Sequence, residues 1–420
     1  MTRTLFPSQP MGAIDAISSK SVAHRLLICA AFAKGRTRIK CEHLNEDITA
    51  TVRCLEALGA SISRDESFFV VSPLTTPNPC PVLDCGESGS TLRFLLPVAC
   101  MLGVDASFRM AGRLPTRPFS PLREELEGKG IVFSLPGSNP LQVRGTIAQT
   151  DFCIAGNVSS QFISGLLFAI ALSGKGGSVR VSGPLESAPY VTLTLDALAQ
   201  FGVTVIQGEN GFFVEKNQPL LSPDEVRVEG DWSGAAFPLA MGVIGQTPVT
   251  LCGLSSDSHQ GDRAILSVLR EFGATVMEEP QQITALPSPL HGISIDASQI
   301  PDLVPILATV ASVAEGTTVI HHAERLRIKE SDRLHAISHV LSTLGASVTE
   351  TSDGLIIHGV PHLRGGEVDS FGDHRIAMSV AVASIRCTDK VILSGSEATA
   401  KSYPGFWQDC SALGMDCFPS

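Results

Sequence analysis

Positive charge is in short supply in this chain. Its 31 Lys and Arg stand against 42 Asp and Glu, a formal net charge of −11, and so acidic a surface repels the phosphate backbone of a nucleic acid. Long apolar runs are also missing. The longest, Phe162 to Leu172 and Phe237 to Ile244, are interrupted by glycine and serine or by proline, and they fall short of the roughly 20 residues that cross a bilayer. Met1 to Asp15 lacks the extended apolar core of a secretion signal, so the expected compartment is the cytoplasm. Cysteine is present but not as a scaffold: the count of 11 is odd and no Cys-x-x-Cys occurs. Cys29, Cys54 and Cys100 sit in apolar runs, where a buried thiol is the usual state. Nucleic-acid surfaces, membrane anchors and disulfide frameworks are thereby set aside. Any local cluster of Lys and Arg becomes more informative for the same reason.

The 420 residues, 44% hydrophobic and 17% charged, exceed what one ordinary core organises, so two globular domains are expected. They carry an internal repeat. A helix-like run ends in glycine at Gly59, Gly130, Gly202, Gly273, Gly345 and Gly414, with successive glycines 69 to 72 residues apart. Glycine there is the usual left-handed stop after a helix, and six in step mark a repeated α/β motif. A second series runs in phase with the first. Polar or glycine-rich turns at Ser19-Lys20-Ser21, Gly86 to Ser90, Ser159-Ser160-Gln161, Asp231 to Gly234, Pro301-Asp302 and Gly372 to Arg375 each open an apolar helix. Several of these helices are apolar nearly all round and should be buried. Strand-like segments follow at Thr37 to Cys41, Ser178 to Ser182, Val249 to Cys252, Thr317 to His321 and Lys390 to Ser394. The pattern predicts an α/β fold of two domains, three units each, with helices inside and sheets outside. Their helix N-termini are ready anion sites.

Basic residues gather at those turns. Arg327-Ile328-Lys329-Glu330-Ser331-Asp332-Arg333 precedes a helical run from Leu334 to Leu344, with Ser331 as its expected N-cap. Cations at a helix N-terminus oppose its dipole, so this is either a solvated turn or a grip on an anion. Lys20 and Arg25, with Ser21, stand at the first helix entrance, where a cap with snorkelling cations fits as well. Asn45 is expected to cap the next helix. Gly89, in Gly86-Glu87-Ser88-Gly89-Ser90, would let backbone N–H groups approach a ligand; no Walker ending follows, and Glu87 sits poorly in an anion cradle. Pro118 keeps Arg117 out of helical geometry, which suits a bidentate hold on carboxylate or phosphate. Asp302 reads as a cap or, partly buried among cations, as a general base. Ser159, Ser160 and Ser187 serve capping or a ligand equally well. His335 and His339 have metal-like i, i+4 spacing, but no further ligand stands nearby, and they read as an exposed helix face.

Together these motifs resemble the enolpyruvyl transferases, in particular those acting on shikimate 3-phosphate. The likeness covers essentially the whole chain and is most specific at Arg327 to Arg333, Gly372 to Arg375, Ser19 to Arg25 and Ser159 to Gln161. It implies an inside-out α/β fold of two domains, each of three βαβαββ units with buried helices, that close over the substrates. The first strand then belongs with the C-terminal domain, giving residues 1–17 with 230–420, and 18–229. It implies transfer of the enolpyruvyl group of phosphoenolpyruvate to the 5-hydroxyl of shikimate 3-phosphate, with release of phosphate through a tetrahedral ketal. Lys20, Ser21, Arg25, Ser159, Ser160, Gln161, Ser187, Asp302, Arg325 and Lys329 would hold shikimate 3-phosphate. Lys20, Gly89, Arg117, Gln161, Arg333, Arg375 and Lys401 would hold phosphoenolpyruvate. Asp302 resembles the base towards the hydroxyl, and Glu330, helped by Lys20, the group that handles the methylene proton. No metal or organic cofactor is implied, and a monomer is expected. Glu87, Arg325 and Ala188 depart from the commonest family pattern of Asn, Asn and Lys. Related transferases acting on UDP-N-acetylglucosamine pair the early lysine with Asn and carry a reactive cysteine near the rigid arginine. This chain has Ser21, and no cysteine from Met101 to Phe152. A non-catalytic binding relative is the remaining alternative.

Overall fold

The computed structural model describes residues 1–419. They form two compact units, Met1–Ile17 with Glu229–Ser420, and Ser18–Val228. Each unit holds three four-stranded sheets. One repeat shows how they are built. Strand Asp151–Ala155 leads into helix Ser160–Ser173 and returns as strand Gly177–Ser182, parallel to the first from Asp151↔Ser178 to Ala155↔Ser182. Helix Ala188–Gln200 then leads to a hairpin, Val205–Gly208 with Gly211–Val214, whose second strand pairs antiparallel with Gly177–Ser182. The motif is βαβαββ, and all six sheets keep this order of strands.

Three sheets are completed by strands from distant parts of the sequence. Glu225–Arg227 pairs parallel with Thr37–Lys40, completing a sheet of the Ser18–Val228 unit. In the other unit Gly12–Asp15 pairs parallel with Val249–Cys252, and Thr2–Leu5 lies between Val391–Ser394 and Cys417–Pro419.

The helices opened by the polar turns lie inside because their sequences leave no continuous polar face. In Trp232–Ile244 every residue but Ser233 is buried, and in Ser160–Ser173 burial runs from Phe162 to Ala171. Small residues permit this close packing. A Cβ on Gly165 would meet the carbonyl oxygen of Arg93, so helices Gly89–Leu102 and Ser160–Ser173 approach backbone to backbone there only because that position is glycine. The six periodic glycines all adopt positive φ, from 81° at Gly202 to 119° at Gly59, as helix stops of this kind require.

Two caps differ from expectation. Asp332, not Ser331, caps the helix Arg333–Thr343, accepting the N–H of His335 at 3.2 Å. Ser331 is buried and gives its hydroxyl to Asp373 at 3.1 Å, so it has been drawn into a carboxylate network. Asp302 is not at a cap position: it lies inside a 3-10 turn, Pro301–Leu303, whose N-cap is Ile300, ahead of helix Val304–Ala311. Asn45 does cap its helix, through the N–H of Ile48 at 3.0 Å.

Candidate active site

In the unit Met1–Ile17 with Glu229–Ser420, the helix starts at Arg333 and His374 and the turn at Pro301 bring charged side chains together. Arg333 is their hub, with 2% of its side chain exposed. Its Nε donates to Asp373 at 2.7 Å, one terminal nitrogen to Asp302 at 2.8 Å and the other to Glu330 at 2.8 Å. Asp373 is held in turn, because it caps helix His374–Ser384 through the N–H of Arg375 at 2.9 Å. Arg375 reaches back to Asp302, 3.3 Å from its carboxylate and 2.9 Å from its carbonyl oxygen. Lys329 lies 3.8 Å from Asp302, and Lys401 lies 3.9 Å from Glu330. Arg325 stands slightly apart, donating to the carbonyl of Ser298 at 2.9 Å.

This cluster sets four cations (Lys329, Arg333, Arg375, Lys401) among three carboxylates (Asp302, Glu330, Asp373), so most of its charge is balanced internally. Burial opposes ionisation of Asp302, but Arg375, Lys329 and Arg333 outweigh it and hold the carboxyl well below the usual carboxylate range. The opposite holds for Asp262, which receives the hydroxyl of Ser233: burial dominates over Arg375 and pushes its carboxyl up to about 6. One fork of a single guanidinium therefore fixes the separation of Asp302 and Glu330. Four of the five N–H donors of Arg333 are directed at carboxylates.

In the unit Ser18–Val228, Gly89 opens helix Gly89–Leu102 beneath two guanidinium groups. A Cβ there would come within 2.6 Å of Arg93 and 2.9 Å of Arg117. Any larger residue here would have to push these two guanidinium ends aside, so glycine leaves them their place. Arg93 donates to the amide oxygen of Gln161 at 3.1 Å, and the amide nitrogen of Gln161 donates to Ser90 at 2.9 Å. Gln161 is thereby oriented between two helix N-termini. Arg117 follows the 3-10 turn Leu114–Thr116 with extended backbone, φ −75° and ψ 137°. Glu87 packs against Gly112, where an added Cβ would collide with its carboxylate.

Lys20, the first residue of helix Lys20–Phe32, pairs with Asp47 at 2.9 Å. Around them runs a buried polar chain: His24 Nδ1 lies 2.7 Å from the Thr51 hydroxyl, Thr51 2.6 Å from Thr91, and Thr91 donates to Ser88 at 2.7 Å. Burial dominates over the opposing pull of Asp47 and, with Lys20 and Arg25 acting in the same direction as burial, lowers the His24 pKa to about 3, so this imidazole stays neutral. Arg25 is almost wholly buried over the Phe94 ring, 4.9 Å from its centroid. It donates to Thr194 at 2.9 Å, to the Ser21 carbonyl at 2.7 Å and to the Tyr190 carbonyl at 2.6 Å. Those bonds tie helix Lys20–Phe32 to helix Ala188–Gln200. Ser159 precedes helix Ser160–Ser173 without capping it, and Ser187 is buried with left-handed backbone at the start of Ala188–Gln200.

Each unit thus gathers its own expected residues. Lys329, Glu330, Arg333 and Arg375 surround Asp302 in one, with Lys401 beside Glu330. Gly89, Arg117 and Gln161 meet in the other, with Lys20 and Asp47 alongside, since the Asp47 carbonyl accepts the Thr91 hydroxyl at 3.5 Å. Sequence reading missed Arg93 as a site residue, along with the carboxylates Asp47, Asp262 and Asp373. The available signal for Arg93 was a lone cation one turn into an otherwise apolar helix.

The family model for EPSP synthase (3-phosphoshikimate 1-carboxyvinyltransferase) matches residues 7–410. A 3-phosphoshikimate 1-carboxyvinyltransferase of Clostridium kluyveri is 42% identical over 410 residues, 97% of this chain and 96% of that one. Its counterpart in Clostridium novyi is 41% identical over 423 residues, covering 98% and 97%. Among solved structures, an EPSP synthase from Acinetobacter baumannii superposes over 100% of both chains with a TM-score of 0.83 at 26% identity.

Proposed function

The chain belongs to the EPSP synthase family, and from that premise we propose which residues of the two clusters do its chemistry. The reaction is the transfer of the enolpyruvyl group of phosphoenolpyruvate to the 5-hydroxyl of shikimate 3-phosphate, with release of phosphate. Both substrates are polyanions, so holding them together requires fixed positive groups more than it requires a reactive nucleophile.

Asp302 is the base towards the 5-hydroxyl and Glu330 handles the methylene proton, with Lys401 beside Glu330 and Lys20 assisting. The observation that carries this assignment is the Arg333 fork, which bonds both carboxylates at 2.8 Å and so presets their spacing. The ionised state of Asp302 also fits, because a base must begin deprotonated. Held so far below its usual pKa, it is a weak base until the cations around it are shared. Substrate phosphate and carboxylate oxygens drawing on Lys329 and Arg375 relieve that hold and raise its basicity as the complex forms. Binding thereby switches on the base.

Lys20, Ser21, Ser159, Ser160, Gln161, Ser187, Arg325 and Lys329 contact shikimate 3-phosphate in this reading. Arg25 acts with them chiefly by fixing the carbonyls of Ser21 and Tyr190. Gly89, Arg117, Gln161, Lys20, Arg375 and Lys401 serve phosphoenolpyruvate. To these we add Arg93, which shares the space above Gly89 with Arg117. Arg333 orients the two carboxylates more than it holds substrate. Among the described residues no helix is long and apolar enough to cross a membrane, and the proposal takes the protein as a cytoplasmic monomer.

The test is phosphate release from phosphoenolpyruvate with shikimate 3-phosphate supplied, withheld, or replaced by UDP-N-acetylglucosamine. Release only with shikimate 3-phosphate is expected. Tight binding of both substrates without release would overturn the catalytic assignment.

A further inference from the structure

Away from the catalytic cluster, the strand Thr317–His321 ends in two adjacent histidines. Neighbouring residues of a strand face opposite sides. His322 escapes that rule because its backbone turns left-handed, with φ 56°. The two rings consequently meet edge to face, centroids 4.6 Å apart, with Nδ1 of His321 3.2 Å from Nδ1 of His322. The parallel strand Ser294–Asp296 pairs Asp296 with His321, and an Asp296 carboxylate oxygen lies 3.1 Å from Nδ1 of His322. All three donor atoms fall within 4.8 Å of one another.

We propose that Asp296, His321 and His322 form a binding site for one divalent transition-metal ion of the zinc, nickel and copper class. Donors about 2.1 Å from such an ion stand roughly 3.0 to 3.4 Å apart when neighbouring in octahedral or tetrahedral geometry, and the two measured separations lie in that range. A single proton on His322 Nδ1 serves one neighbour well at a time, whereas a cation takes lone pairs from all three groups. Two imidazoles and one carboxylate favour these metals over magnesium or calcium, which prefer all-oxygen shells. The supporting contacts of a metal site are present as well. The other oxygen of Asp296 accepts the backbone N–H of Ser298 at 2.8 Å, and the backbone N–H of His322 donates to Asp353 at 3.2 Å, which fixes the turn that carries the ring. His322 and Asp296 keep 60% and 52% of their side chains exposed, so water can complete the shell and an ion has a path in.

The site's position gives it a consequence. Asp296 begins the segment that carries Asp302, and His322 begins the one that carries Lys329, Glu330 and Arg333. A bound ion ties the roots of both segments together, and so reaches the cluster without touching it.

Zinc chloride titrated into full-length protein stripped by chelator and dialysed, followed by calorimetry, tests the proposal. One saturable site is expected, weakened at least about tenfold by His322→Ala and by Asp296→Asn, and unmoved by the double change His335→Ala with His339→Ala. Cobalt(II) should give visible absorption in the parent protein that both single variants lose. Amide exchange should slow on zinc addition in segments 296–302 and 321–333. No saturable binding, or binding unaffected by the single variants but lost with His335 and His339, would overturn the site. Exchange unchanged by bound zinc would overturn the link between the segments.

Discussion

Replacing Asp302 by Asn separates chemistry from architecture at the catalytic cluster. The amide has nearly the same volume, but Arg333 and Arg375 now use different carboxylate oxygens, at 2.8 and 3.3 Å, and the single amide oxygen can accept from only one of them. What goes is the charge. Four cations are left among two carboxylates, and hydrogen bonds between two ions become weaker ones between an ion and a neutral amide, a cost of about 2 kcal/mol. In a unit of this size that lowers the melting temperature by roughly 4 to 8 °C. Loss of a general base removes about 10² to 10⁴ in kcat. Anion binding should move the other way, because a competitor for Lys329 and Arg375 has been neutralised. The expected result is therefore a kcat loss of about a hundredfold or more with KM for phosphoenolpyruvate unchanged or lower, read by continuous phosphate release beside a thermal melt. A kcat within threefold of the parent removes Asp302 from the chemistry. A KM rising in step with the kcat loss would mean that the carboxylate serves only to arrange the cations.

Lys20→Ala should lower kcat by about a hundredfold or more while the fold survives, since the side chain stands at a helix entrance and not in the core; a melting temperature collapse without a specific kinetic defect would count against its role. Arg93→Lys keeps the charge but loses the planar fork beside Gly89, and KM for phosphoenolpyruvate should rise about tenfold, equivalent to about 1.4 kcal/mol; steady-state kinetics within twofold of the parent would exclude Arg93 from the site. His24 predicts acid sensitivity. Its folded pKa of about 3 lies below the ordinary 6.5, so between those values the unfolded chain binds a proton that the folded one refuses. The stability this contributes is complete above pH 6.5 and is lost as pH falls towards 3, about 2 kcal/mol of it by pH 5 and roughly 5 in all. Denaturant titrations at pH 5 and pH 7.5 should show a smaller difference for His24→Gln than for the parent, and equal differences would refute the linkage.

The fold was legible because its strongest signals are local. A glycine that stops a helix is chosen by backbone geometry at that position, and six in step reveal the repeat without knowledge of contacts. All-round apolar helices such as Trp232–Ile244 likewise announce their own burial. The caps were less secure. Ser331 and Asp332 are adjacent and both can cap, and what assigns the task to Asp332 is that the Ser331 hydroxyl is claimed by Asp373, 42 positions away. Asp302 failed as a cap for a related reason: Arg333 and Arg375 pull its carboxylate towards themselves, and neither is local to it in sequence.

The cations could be read from their motifs, whereas their counter-charges could not, and this asymmetry has a physical origin. A lysine or arginine at a helix start is locally unfavourable and so draws notice. Asp47 and Asp373 sit where the helix dipole welcomes an acid, so local reasoning is satisfied before partners are considered. Yet buried cations in a protein of net charge −11 need those acids, because an isolated charge moved out of water costs several kcal/mol. Lys20 with Asp47 in one unit, and Arg333 with Asp302, Glu330 and Asp373 in the other, are therefore the form in which buried cations can exist before an anion arrives. The carboxylates hold the cations in place, and a dianionic phosphate that enters displaces part of that attraction instead of meeting bare charge. If Asp302 and Glu330 act as proposed, catalytic carboxylates arise from the same arrangement, since the groups that steady the cations are those whose basicity rises when substrate takes their place.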